Sequence, residues 1–225
     1  MNSRRIPTGE RKNNRYGLLF AMLITSFLVS GVEESRMVRM IGGLLIIAML
    51  IMAVTSPKHR IRRGVGAVLM LVAIGGTIAL GQSEVDDFSG AVGASAFAVV
   101  VGWVMIWVIL DILSHPKVTN QTLLGVLSAY FLLGQFFAWV YTALPGFLDE
   151  PVIDPDTGEG LTQYYSYVVL TTLGFGDVTP VGTFAQRITV IEALVGQLFL
   201  ATLVARLVAL YGRTEEEEWP GANAS

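Results

Sequence analysis

The chain has no cysteine, which excludes disulfides, thiol nucleophiles and thiolate metal sites. Histidine is nearly as scarce. His59 and His115 are the only two, far apart and each beside basic or polar residues, a pattern of loop positions rather than of a His-ligated metal site. Charged residues make up 15% of the 225 residues, where a soluble domain carries about 25%. Paired histidines, carboxylates clustered within apolar stretches and a G-x-S-x-G nucleophile motif are also missing, so the chain does not read as an enzyme. Apolar residues fill their place. They form 53% of the chain and come in long uninterrupted blocks, the composition of an integral membrane protein.

Six blocks stand out: Tyr16–Gly31, Met37–Thr55, Val65–Leu80, Ala91–Leu113, Thr122–Leu144 and Thr183–Tyr211. A helix crossing the hydrocarbon core needs about 20 apolar residues. The first and third blocks therefore borrow flanking residues, and the last is long enough to project beyond the bilayer. The expected fold class is an all-α membrane protein with six transmembrane helices. Residues 1–15 are polar and basic and read as a cytoplasmic tail. No small-x-small cleavage site closes the first block, which favours an uncleaved helix over a signal peptide. The pairs Gly42-Gly43 and Gly75-Gly76 read as places of close helix approach.

Loop charge sets the expected orientation. The N-terminal tail, Lys58, Arg60, Arg62, Arg63, Lys117, Arg206 and Arg213 fall on one side. Glu33, Glu34, Glu84, Asp86, Asp87, Asp149, Glu150, Asp154, Asp156 and Glu159 fall on the other, with Arg36, Arg39 and Arg187. The arrangement implies a multi-pass protein of the plasma (inner) membrane with both termini cytoplasmic. Residues 213–225, with Glu215–Glu218, read as a short acidic cytoplasmic tail.

One stretch between the last two blocks cannot be an ordinary span. Residues 145–161 are rich in Pro, Gly and Asp and read as an exposed external loop. Leu161–Thr171 is apolar and aromatic but too short to cross, and suits a half-helix entering from outside. Thr171-Thr172-Leu173-Gly174-Phe175-Gly176-Asp177 follows. Glycine adopts left-handed dihedrals without a Cβ clash, so a run mixing ordinary and left-handed residues can aim successive carbonyls the same way. Irregular backbone at membrane depth survives only where protein or water surrounds it, which argues for several chains around this loop.

The order of outer helix, short pore helix, T-T-L-G-F-G-D and inner helix resembles the pore domain of tetrameric potassium channels, over about residues 119–212. The resemblance adds a re-entrant pore helix and selectivity-filter loop to the expected fold. It implies a potassium-selective channel, a homotetramer in which Thr172, Leu173, Gly174, Phe175 and Gly176 form the filter and K+ is bound at Thr172, Leu173, Gly174 and Phe175. Thr171 and Asp177 would support the filter and its outer mouth. Leu173 stands where the family has valine and Phe175 where it has tyrosine, so the tyrosine hydroxyl bond behind the filter is missing. Val168 occupies the place of a pore-helix glutamate found in some members, and Tyr164 is the expected substitute donor to Asp177. No cofactor is implied beyond the permeant ion. The implied partners are potassium, membrane lipids and further copies of the chain, with no nucleic acid.

Residues 16–115 would form a four-helix region around this pore. It is not expected to sense voltage, because residues 92–114 contain no Arg or Lys and a sensor needs several in that span. Asp111 reads as an interfacial or capping carboxylate. On the inner helix, Gln197, Leu200, Ala201, Val204 and Val208 recur at helical spacing, as a cavity lining or as a packing stripe. Gly196 reads as a hinge or as a close-packing glycine. Glu192 is expected to hydrogen-bond the pore-helix end rather than touch ions. The competing functions are a non-selective cation channel and, from another class, a membrane scaffold without transport.

Overall fold

The computed structural model describes residues 15–30, 68–69, 71–78, 87–114, 120–148, 150–154, 156 and 161–218. These residues are almost entirely helical: α1 Arg15–Ser30, α2 Asp87–Leu113, α3 Asn120–Ala143, α4 Pro145–Leu148, α5 Thr162–Leu170 and α6 Gly182–Glu218. A helical segment at 71–78 lies between α1 and α2.

Among the described residues, three helical stretches are long and apolar enough to cross a membrane: Asp87–Leu113, Gln121–Leu148 and Gly182–Arg206. They correspond to the fourth, fifth and sixth of the expected blocks. The first block forms α1, but its apolar helical part, Tyr16–Leu28, is shorter than a full crossing. The second block, Met37–Thr55, lies outside the described residues, as do both ends of the third. The last helix runs further than expected, through Arg213 to Glu218, so the acidic run continues α6 instead of beginning a separate tail. Residues 219–225 and the N-terminal tail before Arg15 lie outside the described residues.

Among the described residues, two apolar clusters hold the helices together. In the first, Leu19 and Leu23 of α1 meet Phe97, Val100, Val101, Val104 and Val108 of α2 and Val126, Ala129 and Leu132 of α3. Gly76 lets segment 71–78 approach α2, since a Cβ there would stand 3.1 Å from Ala96 Cβ and 3.2 Å from Gly93 O; Gly75 faces open space. Tyr16 hydrogen-bonds Asp111, tying α1 to the end of α2 and giving that carboxylate a structural partner. In the second cluster, Leu133, Phe137 and Tyr141 of α3 meet Tyr165 and Leu170 of α5, Ala185 of α6, and Val152, Ile153 and Val178 from the connecting segments.

That second cluster corrects the reading of 145–161 as an exposed loop. Pro145–Leu148 adds a short helix, and Val152 and Ile153 are buried. Ile153 forms a bridge with Pro180, Asp154 N–H donates to Thr179 O (3.0 Å) and Val181 N–H to Val152 O (2.9 Å). Burying the apolar pair Val152-Ile153 in one cluster with Val178 removes their surface from water, and with these backbone bonds it stitches the loop to the segment that leaves residue 177.

Candidate functional site

The site begins with α5, a nine-residue helix held against α3 by side-chain bonds. Tyr167 OH donates to Phe131 O (2.8 Å), Ser166 Oγ to Gly134 O (2.8 Å) and Gln163 Nε2 to Gln135 Oε1 (2.5 Å). Thr142 and Thr162 hydroxyls meet at 3.0 Å. Gly134 makes this approach possible, because a Cβ there would stand 2.5 Å from the Tyr167 ring. Phe27 of α1 packs edge-on against the same ring at 5.0 Å, so the first helix also braces α5.

The C-terminal end of α5 is finished by the chain that follows. The last carbonyls of a helix lack intrahelical donors. Here Thr172 N–H donates to Val169 O (2.9 Å) and Leu173 N–H to Val168 O (3.0 Å), and Tyr130 OH donates to Leu170 O (3.1 Å). The first N–H groups of the loop are thus turned back onto the helix end. Its φ angles alternate in sign: Thr172 (58°), Gly174 (55°) and Gly176 (77°) are left-handed, and Leu173 and Phe175 between them are not. Alternating hands place successive carbonyls on one side of the ribbon and N–H groups on the other. Among the described residues, the carbonyls of Thr172 to Gly176 accept no hydrogen bond. The result is a row of oxygens without donors at the C-terminal, partially negative end of a helix, an arrangement suited to a dehydrated cation.

Thr172 is the costly position. A β-branched residue at positive φ is strained by about 1–2 kcal/mol. Gly174 and Gly176 answer to conformation rather than space, since a Cβ at either would meet nothing within 4 Å. Asp177 closes the loop. Its carboxylate accepts from Tyr164 OH (2.5 Å) and from Val178 N–H (3.0 Å). The Tyr164 bond, more than the backbone one, holds the Asp177 carboxyl below the usual range.

The other residues singled out from sequence fall as follows. Val168 is buried, one turn along α5 from Tyr164, and brings no polar group to Asp177. Thr171 Oγ1 bonds back to Tyr167 O (2.6 Å), so it serves the helix end. Glu192 is fully buried, with Ser166 Oγ at 2.5 Å and Tyr141 OH at 2.7 Å. Gly196 packs on the end of α5: a Cβ there would stand 2.7 Å from Leu170 O. Gln197 Nε2 reaches Thr172 Oγ1 at 3.3 Å, linking α6 to the loop. Gln197, Ala201 and Val204 are exposed on the single chain and Leu200 is half-buried, while the Val208 side chain lies outside the described residues. Tyr130, Gly134, Tyr141 and Ser166 belong to the site as well. Only the crowding of tyrosines before the loop hinted at them, because each acts through a partner at least 26 residues away.

With this geometry in view, comparison with known proteins adds one match. Residues 125–213 match the family model described as Ion channel. The matched segment contains α5, the 172–176 loop and most of α3 and α6, so this part of the chain is similar to an ion-channel domain, and passive ion conduction is the activity that such a domain supports. No curated protein matches.

Proposed function

We propose that four copies of this chain form a potassium-selective channel in the plasma membrane, each contributing Thr172–Gly176 as one wall of the filter. The observation that carries the reading is the carbonyl row: φ signs that alternate along 172–176, positive at 172, 174 and 176, with no donor among the described residues to any carbonyl from 172 to 176. Four such rows around an axis would replace the hydration shell of K+ at Thr172, Leu173, Gly174 and Phe175.

The surface of α6 supports the assembly. Of its membrane-crossing window only 11% is buried within one chain, against 44% for α2 and 56% for the α3 window. Leu173 and Phe175 are likewise 59% and 65% exposed. Lipid is a poor cover for irregular backbone, so neighbouring copies are the fitting cover for this face, with Gln197, Leu200 and Val204 lining the space below the loop. Asp177, held by Tyr164, sits at the outer mouth, and both termini are cytoplasmic. Potassium is the cargo, lipids are the surroundings, and no cofactor or nucleic acid takes part.

The test is flux through the purified chain in liposomes. Potassium flux blocked by barium, with little sodium flux and a tetrameric mass, is the expected result. Equal sodium and potassium flux would favour a non-selective cation channel, for which the absence of a hydroxyl on Phe175 is the structural argument. A correctly assembled tetramer without flux would overturn conduction altogether.

A further inference from the structure

Five short hydrogen-bond contacts meet around Glu192, and the hydroxyls that make them supply four protons. Ser166 Oγ lies 2.8 Å from Gly134 O and 2.5 Å from Glu192 Oε1. Tyr141 OH lies 2.7 Å from Glu192 Oε2. Tyr165 OH lies 2.6 Å from Thr189 Oγ1, which lies 3.0 Å from Ala185 O. Each hydroxyl has one proton to donate, and a carbonyl has none. Ser166 and Thr189 therefore spend theirs on Gly134 O and Ala185 O. Tyr165 spends its proton on Thr189, and Tyr141 spends its own on Glu192. The remaining contact between Tyr141 and Thr189, at 3.4 Å, is the longest of the group and needs no donor. The Ser166–Glu192 contact is then two oxygens 2.5 Å apart with no hydrogen between them, unless the carboxyl brings one.

We infer that Glu192 is an un-ionised carboxylic acid that donates from Oε1 to Ser166 and accepts at Oε2 from Tyr141. It is a positioning residue. It ties α6 to α5 through Ser166 and to α3 through Tyr141, and it leaves Ser166 free to hold Gly134 O. The surroundings agree. Glu192 has no accessible surface, and its hydrogen-bond partners are both hydroxyls. The titratable groups facing it are Tyr130 and Tyr141 from α3 and Tyr165 and Tyr167 from α5; among the described residues no Arg, Lys or His pairs with it. An ionised carboxylate there would be an unpaired charge inside a membrane helix. It would also claim the Ser166 proton, leaving Ser166 Oγ and Gly134 O as two acceptors facing each other in a dry site. The Ser166–Gly134 tie between α5 and α3 would be lost.

The proton assignment stands without the channel reading; only its consequence for conduction rests on that reading. The test is infrared difference spectroscopy on the full-length chain in liposomes, wild type minus Glu192→Gln. The expected result is a protonated-carboxyl carbonyl band at neutral pH that the variant lacks. In Ser166→Ala the band should move to higher frequency, because its acceptor is gone. Glu192→Gln should keep wild-type potassium flux, since its amide N–H replaces the acid proton and its carbonyl still accepts from Tyr141, whereas Glu192→Leu should lose flux. A carboxylate-only difference spectrum overturns the assignment, and so does a band unmoved by Ser166→Ala. A band present as expected with flux lost in Glu192→Gln overturns the positioning role alone. The band is read without ion flux, so a failure of conduction is distinguishable from a failure of the assignment.

Discussion

Gly196→Ala separates two roles for the glycine in the middle of α6. The new Cβ would lie 2.7 Å from Leu170 O and 2.8 Å from Leu170 Cδ1, where ordinary contacts are about 3.5–4 Å. The Leu170 side chain can turn aside. Its carbonyl cannot, because it belongs to the last turn of α5 and accepts from Tyr130. Overpacking of this kind costs about 1–3 kcal/mol, and loss of the Tyr130 bond adds about 1 kcal/mol. The better helix propensity of alanine returns about 1 kcal/mol. The net expectation is a loss of roughly 1–3 kcal/mol per subunit, from the sum of those three ranges. The displaced group sits two residues before Thr172, so flux should fall along with thermal stability. Gly75→Ala, where no atom lies within 4 Å of the new Cβ, is the control and should gain the helix-propensity term of about 1 kcal/mol without loss. Thermal unfolding of the purified assembly and liposome flux are the assays. Wild-type values in both for Gly196→Ala would refute the packing argument, and altered gating with unchanged stability would point to a hinge.

Three further outcomes follow from the same geometry. Asp177 has its carboxyl held low by Tyr164, so its contribution to stability is present above the ordinary aspartate range and is lost as pH falls through the depressed value; Tyr164→Phe should move that acid loss to higher pH, read by flux or unfolding against pH. Tyr141→Phe should leave Glu192 Oε2 without a donor and cost about 1–3 kcal/mol in thermal or denaturant unfolding. Thr172→Gly should relieve strain of about 1–2 kcal/mol yet lose the Gln197 contact, so stability should rise or hold while flux changes.

The loop and its approach were legible in the sequence because they are local. The G-x-G spacing, the threonine pair and the short aromatic segment depend on dihedral freedom and length, which neighbouring residues carry. The end of α2 and both limits of α3 were readable to within two residues, since an apolar block ends where polar residues begin, whereas α2 starts at Asp87, four residues before its apolar block. The limits of α6 were not: Arg213 and Glu215–Glu218 read as a tail, yet nothing in them breaks a helix, and the helix continues. Residues 145–161 misled through their composition, because the two residues that matter, Val152 and Ile153, are outnumbered by turn formers.

Sequence alone thus determined an apolar, cysteine-free chain with one glycine-spaced loop beside a helix too short to cross a membrane. Tertiary structure decided what holds that loop. Ser166 and Tyr141 converge on Glu192, Tyr130 caps Leu170, and Gly134 and Gly196 admit α5 from two sides. These partners are far apart in sequence and meet only when three helices pack. A hydroxyl on a helix has no preferred partner until packing supplies one, and a buried proton is assigned only when every oxygen around it has been counted.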